Sequence, residues 1–418
     1  MDLSIIIPTL NEAENVCLLL PELHNVLGEL GIDYEVIVVD GNSSDGTRGV
    51  AAEQGARVVL EEQRGYGNAL RAGFAVAQGT CVLTMDADLS HPAEFVARMW
   101  AARDRAEMLV ASRYCPGGAA EMSTLRGVLS RLLNAFFHVG LSLPVRDVSS
   151  GFRMYKKSTL DSIEVRGTGF GTLVQILISI YAEGWRIEEL PFHYRLRGKG
   201  KSHAKLLKFG IEYLRIFTHT WRIRNSILFP DYDERAYDSR IPLQRWWQRK
   251  RFRIVTRYIP PKQTLLDIGC GSSRIIASLR DAVALDTSLP KLRYIRKTNC
   301  KLVNATAGQL PFKSHTFGCV VCSQVIEHTA EPTVFAEMRR VLEPRGCLVL
   351  GTPDYGKVTW RIIEFFYGLI HRGGYADEHI TRYSRERLRG SLEENGFSIQ
   401  AQKYIANSEL IVRAVRTS

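Results

Sequence analysis

The stretch Cys81-Val-Leu-Thr-Met-Asp-Ala-Asp-Leu-Ser-His-Pro92 sets an uncharged run against two carboxylates one residue apart. Cys81 to Met85 reads as a buried strand, and Asp86 and Asp88 fall just beyond it, where parallel sheets open their ligand crevice. Two acids so spaced can supply one metal ligand and one contact to a sugar or ribose. The pair alone leaves a second reading open, with Asp88 or Ser90 capping a helix entered at Pro92.

The same alternation extends outward. Strands are expected at Ser4 to Pro8, Glu35 to Val39, Arg57 to Leu60 and Met108 to Ala111. Helices are expected to begin near Glu12, Gly46, Gly67, Pro92 and Thr124, which is the rhythm of parallel βαβ units. A strand near Gly151 to Tyr155, an apolar helix near Gly171 to Ala182 and a strand near Ile187 to Tyr194 follow. Asp40 closes Val-Ile-Val-Val-Asp, a second acid at a strand end.

Seven segments carry a family likeness. Ser4-Ile-Ile-Ile-Pro-Thr-Leu-Asn-Glu12, Val38-Val-Asp-Gly-Asn-Ser-Ser-Asp-Gly-Thr47 and Met85 to Pro92 stand in the order and spacing of the family 2 inverting glycosyltransferases with the GT-A fold. Arg64-Gly-Tyr-Gly-Asn-Ala69, Ala111-Ser-Arg113, Asp147-Val-Ser-Ser-Gly-Phe-Arg153 and Pro191 to Ser202 resemble its dolichol-phosphate mannosyltransferase, or polyprenyl-phosphate sugar synthase, branch. The resemblance covers about the first 225 residues. It implies that Pro8, Glu12 and Asp40 hold the nucleoside of a GDP- or UDP-linked sugar and that Asp86 meets its sugar phosphate side. Asp86 and Asp88 would hold Mg²⁺ or Mn²⁺, with Ser90 as a third ligand where relatives often have Gln. Ser43 and Asp45 read as caps for the helix near Gly46.

A polyprenyl phosphate acceptor is already an anionic nucleophile, so positioning and charge stabilisation carry the chemistry. Arg113 and Arg153 join Asp86 and Asp88 as the expected catalytic set, and Arg131, Arg195 and Lys201 are expected at the acceptor phosphate, since guanidinium forks suit phosphate oxygens. For each arginine a surface role stays open. The alternative is a glycan-extending enzyme with a hydroxyl acceptor, in which Asp147 could serve as base.

A second βαβ series starts at Thr264. Leu265-Leu-Asp-Ile-Gly-Cys-Gly-Ser-Ser273 is a strand entering a glycine turn, where Gly269 and Gly271 admit close approach of a ligand. Asp286 ends the next strand, placed for ribose hydroxyls. With Gly308-Gln-Leu-Pro-Phe312, Val320 to His328, Val341 to Gly346 and Glu378 to Ser384, residues 262–418 resemble class I methyltransferases of Rossmann-like fold. That implies S-adenosylmethionine held by Asp267, Gly269, Gly271, Asp286 and Thr306, the last where relatives often place an acid. His328 and His379 are candidate bases, needed only for a hydroxyl acceptor. A dinucleotide-binding dehydrogenase is the competing enzyme reading, and a pure binding or scaffold role is the non-catalytic one.

Composition agrees with two α/β domains. The chain has 418 residues, 45% hydrophobic and 24% charged, which suits two folded cores. The expected domains are residues 1–225 and 262–418, with the charged, aromatic segment 226–261 as a linker or bridging helix. The 8 cysteines are scattered; Cys319 and Cys322 lie on opposite sides of one strand and read as core thiols. The absence of an 18-residue apolar run and of a basic leader predicts a cytoplasmic protein. The net charge of +11 concentrates in Arg195 to Arg224, nine Lys or Arg against Glu212, interleaved with Leu206, Phe209, Tyr213, Phe217 and Trp221. Such a segment suits peripheral contact with an anionic membrane face or packing on the first domain. Nucleic acid is not expected, because no recognised nucleic-acid module accompanies the charge.

Overall fold

Ile5, Ile6 and Ile7 are wholly buried, as are Val38 and Val39 beside them. Strands covered on both faces need continuous apolar runs, and these two lie side by side in the parallel part of a sheet. The computed structural model describes residues 1–195, 206–277, 282–329, 333–370 and 379–417. The chain divides into two units, Met1–Arg224 and Asn225–Ser418.

In the first unit the strands are β1 (Leu3–Thr9), β2 (Tyr34–Asp40), β3 (Arg57–Leu60), β4 (Cys81–Thr84), β5 (Met108–Ser112), β6 (Ala119–Ala120), β7 (Arg153–Lys156), β8 (Ile187–Pro191) and β9 (His193–Tyr194). Seven of them order as β3-β2-β1-β4-β7-β5-β8, while β6 and β9 pair separately. β1 runs parallel to β2 and β4, with Thr9 opposite Asp40 and Ile6 opposite Thr84, so all three strands end on one side. β7 enters antiparallel between β4 and β5. One face is packed by the helix Ala13–Leu30 through Val16, Leu19, Leu20, Leu23 and Leu27. Against the other, Gly73 of the helix Tyr66–Val76 lies so near Ile6 that a Cβ there would stand 2.5 Å from a methyl.

The second unit holds β10 (Leu265–Ile268), β11 (Val283–Asp286), β12 (Lys301–Asn304), β13 (Phe317–Ser323), β14 (Leu342–Pro353), β15 (Phe397–Ile405) and β16 (Glu409–Arg416). Their order is β12-β11-β10-β13-β14-β16-β15, with β16 antiparallel to both neighbours. Cys319 packs with Leu265 and Val349, and Cys322 with Leu266 and Leu348, on opposite faces of β13.

Residues 226–261 contribute the helices Tyr232–Tyr237 and Pro242–Tyr258, and both belong to the second unit. Their tie to the sheet is specific. Ile254 and Val255 are buried in the same cluster as Leu265 and Ile411. Arg251 grips Glu409 at 2.6 and 2.7 Å, and the Trp247 indole donates to the same carboxylate at 2.5 Å. A carboxylate buried like Glu409 requires such partners. Among the described residues, no helix is long and apolar enough to cross a membrane.

Candidate active sites

In the first unit the ends of β1, β2 and β4 assemble one polar surface. Asp40 is fully buried; its Oδ1 accepts from the Ser43 amide at 2.8 Å, and Oδ2 is without a partner among the described residues. A buried carboxylate oxygen lacking a donor is a binding feature in want of a ligand. Pro8 is half-buried beside it on β1. The Glu12 carboxylate accepts from the Asn15 side chain at 2.5 Å, and its amide donates to the Thr47 hydroxyl at 3.0 Å. Ser43 and Asp45 do more than cap a helix: Ser43 Oγ accepts from the Asn11 amide at 2.8 Å and Asp45 Oδ2 from the Ala13 amide at 3.0 Å, tying the two loops together.

Asp86 and Asp88 differ in environment. The Asp86 side chain is about a third exposed, while Asp88 is buried. Leu89 takes a left-handed φ of 61°, turning the chain so that the Ser90 amide donates to Asp88 Oδ1 at 3.1 Å and the Ser90 hydroxyl donates to the same oxygen. The Ser90 hydroxyl thus orients Asp88 and keeps its oxygen lone pairs beside the carboxylate. Two partners of Asp86 escape a reading of spacing alone. His91, buried and stacked on Phe152, accepts from the Asp86 amide at 2.9 Å, and the Tyr66 hydroxyl donates to Asp86 Oδ1 at 3.3 Å. Burial lowers the His91 pKa against the pull of Asp86 and Asp88, which favours neutral imidazole. Gly151 leaves room here for the Tyr66 hydroxyl, from which a Cβ would stand 2.6 Å. The two carboxylates offer only hard oxygen donors, a set that fits Mg²⁺ or Mn²⁺.

The expected arginines separate. Arg113 is bidentate to Asp147 and also donates to Ser149 at 2.8 Å. Arg153 is fully buried and gives its terminal nitrogens to the carbonyls of Leu173 at 2.6 Å and Val148 at 2.7 Å. Its place is under the site, bracing the loop, and that corrects the catalytic expectation. Arg195 pairs with Glu94 at the surface, Arg131 is exposed on the helix Thr124–Gly140, and Lys201 lies outside the described residues.

The second unit contains a cavity of about 520 Å³ lined by Asp267, Gly269, Gly271, Asp286 and His328. Gly269 and Gly271 both have left-handed φ, 66° and 52°. A Cβ at Gly269 would stand 2.2 Å from Val325, and one at Gly271 2.4 Å from Asp233. Asp286 accepts from the amides of Gly271 and Ser288, each at 2.8 Å. Asp267 keeps Oδ2 buried without a partner among the described residues. Burial, then Asp286 and Asp233, push its pKa up to about 8. Thr306 departs from expectation: it is exposed in the turn after β12 and does not line the cavity. Tyr232, Asp233, Tyr237, Arg251 and Phe252, from the segment that composition marks as a linker, do line it. The acid and aromatic clustering at 231–238 was the available signal.

His379 is buried beside His328, ring centroids 4.9 Å apart. Burial and the nearby His328 and Arg382 lower its pKa to about 4, so it is a weak base.

Comparisons with known proteins follow this division. The profile "Glycosyl transferase family 2" matches residues 4–163, and "Methyltransferase domain" matches residues 266–350. A dolichol-phosphate mannosyltransferase of Pyrococcus furiosus is 32% identical over 234 residues, 53% of this chain and 64% of that protein. A polyprenol monophosphomannose synthase of Mycolicibacterium smegmatis is 30% identical over 238 residues, covering 53% of this chain and 88% of the relative. A crystal structure of Mycobacterium tuberculosis glucosyl-3-phosphoglycerate synthase aligns at 21% identity and a TM-score of 0.42, over 53% of this chain and 80% of that one.

Proposed function

We propose, from the premise that this chain belongs to glycosyl transferase family 2 and carries a methyltransferase domain, that it transfers a sugar from a GDP- or UDP-linked donor to a polyprenyl phosphate. The observation that carries the donor half is the unpartnered, buried Asp40 Oδ2 at the end of β2, on the same edge of the sheet as Asp86 and Asp88 beyond β4, with β1 between them. Asp40, with Pro8 and Glu12, receives the nucleoside, and Asp86 faces the sugar phosphate side. Asp86 and Asp88 hold Mg²⁺ or Mn²⁺, which when bound supplies charge neutralisation for the departing diphosphate. Ser90 keeps Asp88 in place, and Tyr66 and His91 keep Asp86 in place.

The acceptor class is supported by relatives named for dolichol phosphate and polyprenol monophosphate. A hydroxyl acceptor would need a base, and Asp147 is unsuited to that task. Burial raises its pKa, but the Arg113 charge and hydrogen bonds more than reverse this and hold the carboxylate ionised and occupied. An anionic phosphate needs no proton removed.

Access to a lipid acceptor is supported by the helix Thr124–Gly140. Leu125, Leu129, Leu132, Phe136 and Val139 are exposed along one stripe, with Leu125 69% and Leu132 62% accessible. Phe136 meets Phe217 of the helix Leu206–Arg224 at 4.2 Å, so the stripe adjoins the basic, aromatic helix. Apolar side chains beside Arg126, Arg131 and Arg215 suit an anionic bilayer face.

In the second unit Gly269, Gly271, Asp267 and Asp286 shape a site for S-adenosylmethionine, which when bound supplies the electrophilic methyl. Labelled nucleotide sugars, polyprenyl phosphate and Mg²⁺ or Mn²⁺ test the first reaction. A solvent-extractable, acid-labile product is expected, and a water-soluble glycan in its place would favour the hydroxyl-acceptor reading. Asp88→Ala should abolish transfer; persistence would remove the metal assignment. Calorimetry with S-adenosylmethionine tests the second unit, and no heat of binding would leave it a scaffold.

A further inference from the structure

The structure assigns a divalent transition-metal site to Glu327, His328 and His379 in the second unit. One ligand atom from each lies within 4.8 Å of the others, near enough that small side-chain movements bring all three to one ion. β13 ends at Ser323, and the 3₁₀ turn Ile326–His328 presents Glu327 inward and His328 at the cavity wall. The Glu327 amide region is closed by Thr381, whose own amide donates to the Glu327 carbonyl at 3.0 Å, bringing the His379 segment alongside.

The surroundings resemble those of a built metal centre. Glu327 is wholly buried; Oε2 accepts from the Thr352 hydroxyl at 3.1 Å, while Oε1 has no partner among the described residues. A carboxyl oxygen buried without a partner is a vacancy that a proton or a cation can fill, and the two imidazoles beside it favour the cation. His379 Nδ1 meets the Tyr355 hydroxyl, which donates its only proton to Glu364 at 2.8 Å. Nδ1 must then carry the proton, and the lone pair falls on Nε2. Carboxylate, tyrosine and imidazole in series fix a histidine tautomer in the manner of an outer ligand shell. Trp360 stacks on the His379 ring and holds its plane.

Two imidazoles and one carboxylate select a borderline cation such as Zn²⁺ or Co²⁺ over Mg²⁺. Three protein ligands leave coordination positions open, and His328 places them at the cofactor cavity, where an oxygen of the methyl acceptor would take one. Binding of the ion is independent of the methyl-transfer reading.

Co²⁺ titration of the chelator-treated full chain reads the site directly through visible d–d absorption. One Co²⁺ per chain with nitrogen-ligand bands, displaced by Zn²⁺, is expected in Asp88→Ala, where the carboxylate pair of the first unit is broken, and the same bands are expected in the parent. His328→Ala and His379→Ala should lose the bands. Tyr355→Phe, which spares every ligand, should retain them with about 10-fold weaker binding. The circular dichroism and thermal unfolding of each variant check folding. No bands in the parent, or bands unchanged in folded His328→Ala and His379→Ala, would overturn the assignment.

Discussion

Arg113 and Asp147 form a closed fork in the first unit: Nε meets Oδ2 and Nη2 meets Oδ1, each at 2.7 Å, and the Arg113 amide adds a third bond at 3.0 Å. Asp147 is fully buried, so its charge is tolerable only with this partner. Arg113→Ala should destabilise the unit by about 3–5 kcal/mol. Arg113→Met with Asp147→Leu should recover much of that loss in denaturant titration, because no charge then remains unpaired. Asp147 is held below its ordinary carboxylate range, so its stabilising contribution is present above pH about 4 and is lost as pH falls further. Equal losses in the single and double variants would contradict the pairing argument.

Asp40 poses the opposite case, a buried carboxylate oxygen still lacking a donor. Asp40→Asn is predicted to weaken nucleotide binding by about 10- to 100-fold, the range for a hydrogen bond to a charged group. Folding stability should hold or rise, since the amide is cheaper to bury. Calorimetric titration with GDP and UDP measures the first effect and thermal unfolding the second. Undiminished affinity would place the nucleoside elsewhere.

Strand positions and the polar residues at strand ends were legible because both follow local rules: apolar runs such as Ile5 to Ile7, and acids such as Asp40 and Asp86 beyond them. Partners were not, because hydrogen-bond pairing is decided by register and side-chain burial. Arg153 and Arg113 look alike in sequence, yet β7 inserts between β4 and β5 and carries Arg153 wholly inside. Ser90 follows Asp88 by two, but the left-handed Leu89 between them turns its hydroxyl back on the acid. Residues 231–238 look like linker by charge, and only the fold brings Asp233 to the Ser272 amide at 3.1 Å, at the wall of the cavity in the second unit.

Asp267 should show itself through pH. Its folded pKa of about 8 exceeds the ordinary 3.8, so between those values the folded state keeps a proton that the unfolded chain releases. Stability of the cofactor-free protein should therefore fall as pH rises from about 4 to 8 and level off beyond. Asp267→Asn removes that dependence, stabilises the unit at pH 8 by about 1–3 kcal/mol, and weakens S-adenosylmethionine binding by about 10- to 100-fold. Unfolding midpoints across pH, with and without cofactor, separate the effects. A variant that keeps the parent's pH slope would show that another group titrates.

The stripe on the helix Thr124–Gly140 gives the last prediction. Leu125 and Leu132 are its most exposed members, so replacing them should leave the fold intact. The same helix reaches the candidate site from its buried side: Asn134 Oδ1 accepts from the Val148 and Ser149 amides at 2.8 and 3.2 Å, holding the loop that carries Asp147. A membrane bound to the outer face would thus lie one helix away from the sugar-transfer chemistry. Each leucine that reaches the acyl boundary of the bilayer contributes up to about 1.5–3 kcal/mol. Leu125→Glu with Leu132→Glu should therefore abolish sedimentation with vesicles containing anionic lipid, and should slow transfer to vesicle-embedded polyprenyl phosphate more than transfer to a short, water-soluble analogue. High salt should weaken the parent's retention without removing it, since the apolar part is not screened. Retention by the double variant equal to the parent's would exclude this helix as the membrane contact.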